Sequence, residues 1–163
     1  MKKTILLAAL IIIMINVKAQ LKTTTVCPAM TVDLLDGKVN DIKINFTVGQ
    51  IKERLPCFTS AEEESPTAKC GGGVFYKDRD IYFYTGRDYI EIGPKFKGKI
   101  SIPIMGANRN SHFKWLGNPK IKDVTWDAYA TSYGLLILYY SSANKVNKIR
   151  FSNQSAETIK LCE

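Results

Sequence analysis

Two stretches constrain the fold more than anything else in the chain: "DIYFYTGRDYIEI" at residues 80–92 and "GLLILYYSSANKVNKIRF" at residues 134–151. Each is an apolar, aromatic run, a short polar turn and a second alternating run. Successive side chains of a strand point to opposite faces, so such runs must pair side by side with one face buried. Both stretches therefore predict antiparallel hairpins, with turns at Thr85-Gly86-Arg87-Asp88 and Ser141-Ser142-Ala143-Asn144.

A helix signal precedes each hairpin. In "FTVGQIKERLP", Thr47 and Gln50 have capping-box spacing, while Phe46 and Ile51 have that of a hydrophobic staple. Val48, Ile51 and Leu55 share one helical face, and Pro56 stops the run. In "SHFKWLGNP", Phe113 and Leu116 share a face and Gly117 and Pro119 end it. Upstream, Asp36-Gly37 in "TVDLLDGKVNDIKINF" marks a tight turn between alternating runs. The segment from Cys57 to Gly73 reads as a polar, flexible surface loop. Its Gly71-Gly72-Gly73 lacks the lysine and following helix of a phosphate cradle. Strands are expected at Val74 to Lys77, Asp80 to Tyr84 and Tyr89 to Ile92, then through "VTWDAYATSYGLLILYY" and "KVNKIRF". The recurring order of helix and strands predicts an α+β fold. Two tandem helix-plus-antiparallel-meander repeats, about 46–94 and 110–153, form one sheet with short helices packed on one face.

Residues 1–19 read as a signal peptide: Lys2 and Lys3, an apolar stretch from Ile5 to Val17, then Val17-Lys18-Ala19 before the cut. The apolar stretch is shorter than the roughly 20 residues that span a bilayer. The expectation is a single exported domain over 20–163, periplasmic or secreted, with no stable membrane insertion after cleavage. The Met-Lys-Lys start suggests a bacterium. Four cysteines, Cys27, Cys57, Cys70 and Cys162, fit a disulfide framework in an exported chain. Cys57 with Cys70 is favoured because they flank one loop, and Cys27 with Cys162 because they lie near the two ends. The longer closure is worth roughly 4 to 5 kcal/mol in chain entropy. No cysteine pair has zinc-knuckle spacing and His112 is the only histidine, so neither metal nor cofactor is expected.

The formal charge is +8, and the leader lysines Lys2, Lys3 and Lys18 account for three of it, which leaves a mature chain at +5. Its lysines (Lys95, Lys97, Lys99, Lys114, Lys120, Lys122, Lys145, Lys148) are scattered, which argues against a nucleic-acid partner. Catalysis would need an activated nucleophile with a base, or a carboxylate pair in a cleft. A dyad would have to use His112, expected at the surface or against the sheet. Asp78, Asp80, Asp88, Glu91 and Asp127 sit at turns or polar strand positions where solvation explains them, and the cysteines are expected to be oxidised. The chain therefore reads as no enzyme.

The duplicated unit resembles the beta-lactamase inhibitory protein fold. The stretches that carry the resemblance are "TVGQIKERLP", "FKWLGNP", "DIYFYTGRDYIEI" and "YGLLILYYSSANKVNKIRF", about two thirds of the mature chain by pattern and not by an invariant signature. It also looks like small envelope proteins that share the unit, including an outer-membrane-assembly lipoprotein. The "WDAY" and "YGLLILYY" portion is similar to exported bacterial immunity-type domains. The first repeat has Cys-Gly-Gly-Gly where the second has Val-Thr-Trp-Asp, so no inhibitory residue carries over. The resemblance implies a binding scaffold.

The residues supply a candidate surface for that role. Tyr82 and Tyr84 point away from Ile81 and Phe83, and Tyr140 is placed with them. Arg79, Arg87 and Trp126 adjoin, and tyrosine, tryptophan and arginine are the residues enriched at interface hot spots. The expected function is a non-catalytic protein-binding module, most concretely a periplasmic inhibitor or immunity protein that occludes an enzyme or toxin. An envelope-assembly or cell-surface structural protein is the alternative, and a small hydrolase-like enzyme using His112 the third.

Overall fold

The computed structural model describes residues 26–159 together with 161 and 162. The signal-peptide reading over Met1 to Ala19 lies outside them. The fold is mixed α+β, mostly sheet, with two short helices and two sheets among the described residues.

The Asp36-Gly37 turn joins β1 (Thr31–Asp33) to β2 (Lys38–Val39), which pair antiparallel. Gly37 takes the left-handed φ of 62° that the turn requires. β3 (Ile42–Lys43) extends this hairpin, and β8 (Lys99–Ile100) joins β1 in parallel to complete a four-stranded sheet. α1 (Val48–Arg54) then starts at Thr47, with both hydrogen bonds of the capping box formed. Val48, Ile51 and Leu55 are buried along its expected face.

The second sheet has eight strands. β4 (Ser60–Glu62), β5 (Gly73–Tyr76), β6 (Ile81–Tyr84) and β7 (Tyr89–Ile92) form one antiparallel meander. β9 (Ile121–Lys122), β10 (Trp126–Thr131), β11 (Gly134–Tyr140) and β12 (Val146–Ser152) form the other. The two meet where β7 pairs antiparallel with β12, giving the order β4-β5-β6-β7-β12-β11-β10-β9.

Three expectations are corrected. First, one sheet becomes two. The inner face of the large sheet presents Val74, Tyr76, Ile81, Phe83, Ile90, Ile92, Leu136, Leu138, Ile149 and Phe151, more apolar surface than two short helices can cover. The small sheet supplies the rest through Val32, Val39 and Ile42, with Met30, Leu34, Ile102 and Ile104. Helix α2 (Phe113–Leu116) contributes little: it is one turn long, buries no residue fully, and leaves Phe113 63% exposed.

Second, the disulfides join Cys27 to Cys57 and Cys70 to Cys162, with Cα separations of 5.7 and 5.4 Å. Cys57 and Cys70 do not close a loop of their own: Cys57, just before β4, meets Cys27 of the N-terminal segment, and Cys70, just before β5, meets Cys162 after β12. The bonds point to an oxidising compartment, extracellular or periplasmic. Third, the triple glycine belongs to a tightly packed crossing. A Cβ on Gly73 would run into the carbonyl oxygen of Phe83, and one on Gly86 into that of Gly71. Glycine is needed here because backbone meets backbone.

Candidate functional site

The outer face of the large sheet carries a register row of Phe75, Tyr82, Glu91, Arg150, Ile137 and Ala128, one from each of β5, β6, β7, β12, β11 and β10. The residues after β12 turn back over this face. Ala156, Ile159 and Leu161 pack against Ala128, Leu135 and Ile137, and Cys162 ties the strap to Cys70 across the sheet.

Arg150 anchors the middle and is only 5% exposed. Its Nε donates to Glu91 Oε2, its Nη1 to the Tyr139 hydroxyl (2.9 Å) and its Nη2 to the Cys162 carbonyl (3.0 Å). The guanidinium also lies 5.4 Å from the Tyr89 ring centre and 4.9 Å from that of Tyr139. A buried charge is tolerated when it is paired and its remaining protons are bonded, and this one is.

On one side of the strap lies an aromatic recess of about 210 Å³, lined by Phe75, Tyr82, Tyr84, Cys70, Glu62 and Lys77. The ring centres of Phe75 and Tyr84 are 5.4 Å apart, those of Phe75 and Tyr82 6.3 Å, and those of Tyr82 and Tyr84 6.4 Å. The Tyr82 hydroxyl donates to Asp80 Oδ1 at 3.2 Å. Burial pushes the Tyr84 phenol up to about 12, with Glu91 and Glu62 among the charges that add to it. Both tyrosines therefore stay neutral donors at physiological pH, since burial and Asp80 also raise Tyr82.

The six residues expected on one partner face separate. Tyr82 and Tyr84 do lie together on the outer face, half-buried. Trp126 shares that face, but four strand spacings away, roughly 19 Å. Arg87 lines a cavity of about 770 Å³ between the β6–β7 turn and the residues after β12. Arg79 donates to the Pro28 carbonyl at 2.7 Å and is held to the N-terminal segment. Tyr140 is a correction: it is 7% exposed and belongs to the inner core with Leu136 and Leu138. The register sets Ile137, and with it Tyr139, on the face of Tyr82. Phe75, Glu62 and the Arg150 cluster were not anticipated. Polar Glu91 and Arg150 inside apolar strands were the available signal.

A second polar cluster sits at the far end of the inner face. Arg109 Nε donates to Asp127 Oδ2 at 3.0 Å, and the Tyr140 hydroxyl donates to the same oxygen at 2.9 Å. The Arg109 guanidinium lies 4.6 Å from the Tyr140 ring centre, and His112 stacks near-parallel on that ring at 6.2 Å. His112 is 0% exposed, and neither ring nitrogen has a hydrogen-bond partner. It was expected at the surface or against the sheet, and the sheet side is where it lies. Burial holds its imidazole below the ordinary 6.5, with Asp127 pulling the other way.

The pH consequence has a definite sign. The unfolded chain takes up a proton at His112 near pH 6.5 while the folded chain resists, so stability is full above that value and falls as pH drops below it. A His112→Phe variant is expected to lack this part of the acid slope in urea titrations run from pH 7.5 down to 5. Parallel curves for the two proteins would remove the assignment.

Among the described residues no group of three or more His, Cys, Asp or Glu side chains is placed to hold a metal ion. No helix among them is long and apolar enough to cross a membrane. Compared with family models, curated proteins and solved structures, the chain gives no match to any.

Proposed function

We propose that the protein is an exported, non-catalytic recognition module that binds another protein through the outer face of its large sheet. The observation that carries this reading is the aromatic recess: three packed rings, two of them half-exposed, on a sheet stiffened by the Arg150 cluster and a disulfide-tied strap. Rigid tyrosines present large contact area with little entropy to lose on binding. The most concrete version is a periplasmic or secreted inhibitor or immunity protein that occludes an enzyme or toxin. The order of α1 before the first meander and α2 before the second supports the reading of a duplicated helix-plus-meander unit of the beta-lactamase inhibitory protein kind. An envelope-assembly role would use the same face.

The reading through His112 as a catalytic base has less support, because the imidazole is enclosed in the core and substrate has no route to it in this arrangement. The test is capture from envelope and secreted fractions with the oxidised protein as bait, beside a Tyr82→Ala, Tyr84→Ala variant checked for native disulfides and thermal unfolding. One stoichiometric partner lost in the variant is expected. Equal capture by both proteins would place recognition elsewhere.

A further inference from the structure

The same three-part arrangement of arginine, tyrosine and carboxylate occurs twice inside this fold. Arg150 lies over Tyr139 and Tyr89 and bonds Glu91; Arg109 lies over Tyr140 and bonds Asp127. The recess holds two of the three parts. Its rings are Phe75, Tyr82 and Tyr84, and its carboxylate is Glu62. Among the described residues no cation sits over any of these three rings, and Glu62 joins no ion pair.

We propose that the recess binds an arginine side chain presented by the partner protein, completing from outside the arrangement that the fold completes twice within. The proposal rests on the reading of the outer face as a recognition surface. A planar guanidinium stacks on aromatic faces and offers a carboxylate two parallel donors, which an ammonium cannot do. An apolar side chain would cover Glu62 without pairing it, and burying an unpaired carboxylate is unfavourable. The space, about 210 Å³, is below that of drug-sized pockets and suits a single side chain. Exposed Glu64 adds a negative charge two residues on from Glu62, while Glu63 is turned to Lys52 at 3.9 Å. Lys77 also lines the recess and opposes a basic visitor, so the site is built for moderate affinity and its charge can be tuned at that position.

The experiment is a chemical-shift titration of the isotope-labelled, oxidised protein with N-acetyl-arginine amide, and separately with N-acetyl-norleucine amide. Saturable shifts at Phe75, Tyr82 and Tyr84 are expected with the arginine probe, roughly tenfold weaker with norleucine. Glu62→Gln is expected to weaken arginine binding several-fold and Lys77→Gln to strengthen it, with resonances of the Arg109–Asp127 cluster unmoved as the control for folding. Equal response to both probes, shifts confined to other surfaces, or indifference to Glu62→Gln would overturn the proposal. A partner captured by the wild type and by Glu62→Gln alike, yet lost in the tyrosine double variant, would keep the recognition surface and remove the arginine. Without any captured partner the recognition reading falls, while the titration still decides the recess.

Discussion

A Cys70→Ser, Cys162→Ser double variant is expected to lose about 4–5 kcal/mol of stability in equilibrium urea unfolding. The bond spans 92 residues in sequence, so without it the denatured chain regains the freedom of a loop that long. The folded side loses as well. Once Cys162 is free, the strap is held by the packing of Ala156, Ile159 and Leu161 over Ala128, Leu135 and Ile137, and by the hydrogen bonds of Cys162 to Arg150 and Tyr89. Removing the Cys27–Cys57 bond, with a separation of 30, is expected to cost less, roughly 3–4 kcal/mol. If the two double variants lose equal stability, or their order is reversed, the loop-closure account fails. Non-reducing peptide mapping checks the pairing itself: a fragment joining Cys57 to Cys70 would contradict this structure.

Replacing Arg150 with methionine is expected to destabilise the fold by about 3 kcal/mol, because it leaves the Glu91 carboxylate, whose side chain is 14% exposed, with only the Lys148 ammonium 3.9 Å away. The Tyr139 hydroxyl and the Cys162 carbonyl each lose a donor in the same step. A Glu91→Met, Arg150→Met double variant removes the carboxylate as well and is expected to recover most of that loss, since apolar replacements of a buried pair are often close to neutral. Thermal and urea unfolding of both variants are the measurements. A single Arg150→Met variant within about 1 kcal/mol of wild type would show that the pair does not hold the centre of this face.

The elements set by neighbouring residues are legible in the chain, and those set by distant residues are not. The capping box at Thr47 and Gln50, the Asp36-Gly37 turn and the hairpins around Gly86 and Ser141 depend on residues a few positions apart, and each forms where the pattern placed it. β4 and β9 escaped notice because they are three and two residues long, too short for alternation to register. The face of Tyr140 was misplaced because "GLLILYY" is apolar on both sides. A strand covered on both faces contains no polar residue to mark which side is wet. A register shift between Tyr139 and Tyr140 complicates that strand further. Cysteine pairing depends on how β4 and the strap cross the sheet, which spacing along the chain does not contain. At the recess, Tyr82 and Tyr84 were legible as a pair two apart on one strand. Glu62 and Phe75 come from neighbouring strands, and only the sheet brings them together.

The junction between β7 and β12 has a bearing on the order in which the molecule can assemble. The first meander is complete by Ile92, but the strand that protects its inner edge comes last in chain order among the strands of the described residues. Until Val146–Ser152 arrives, β7 carries a row of unsatisfied amides and carbonyls, the kind of edge that recruits other chains. The eight-stranded sheet can therefore close at its middle only once most of the chain is present, and the β7–β12 pairing is a long-range contact the fold has to make.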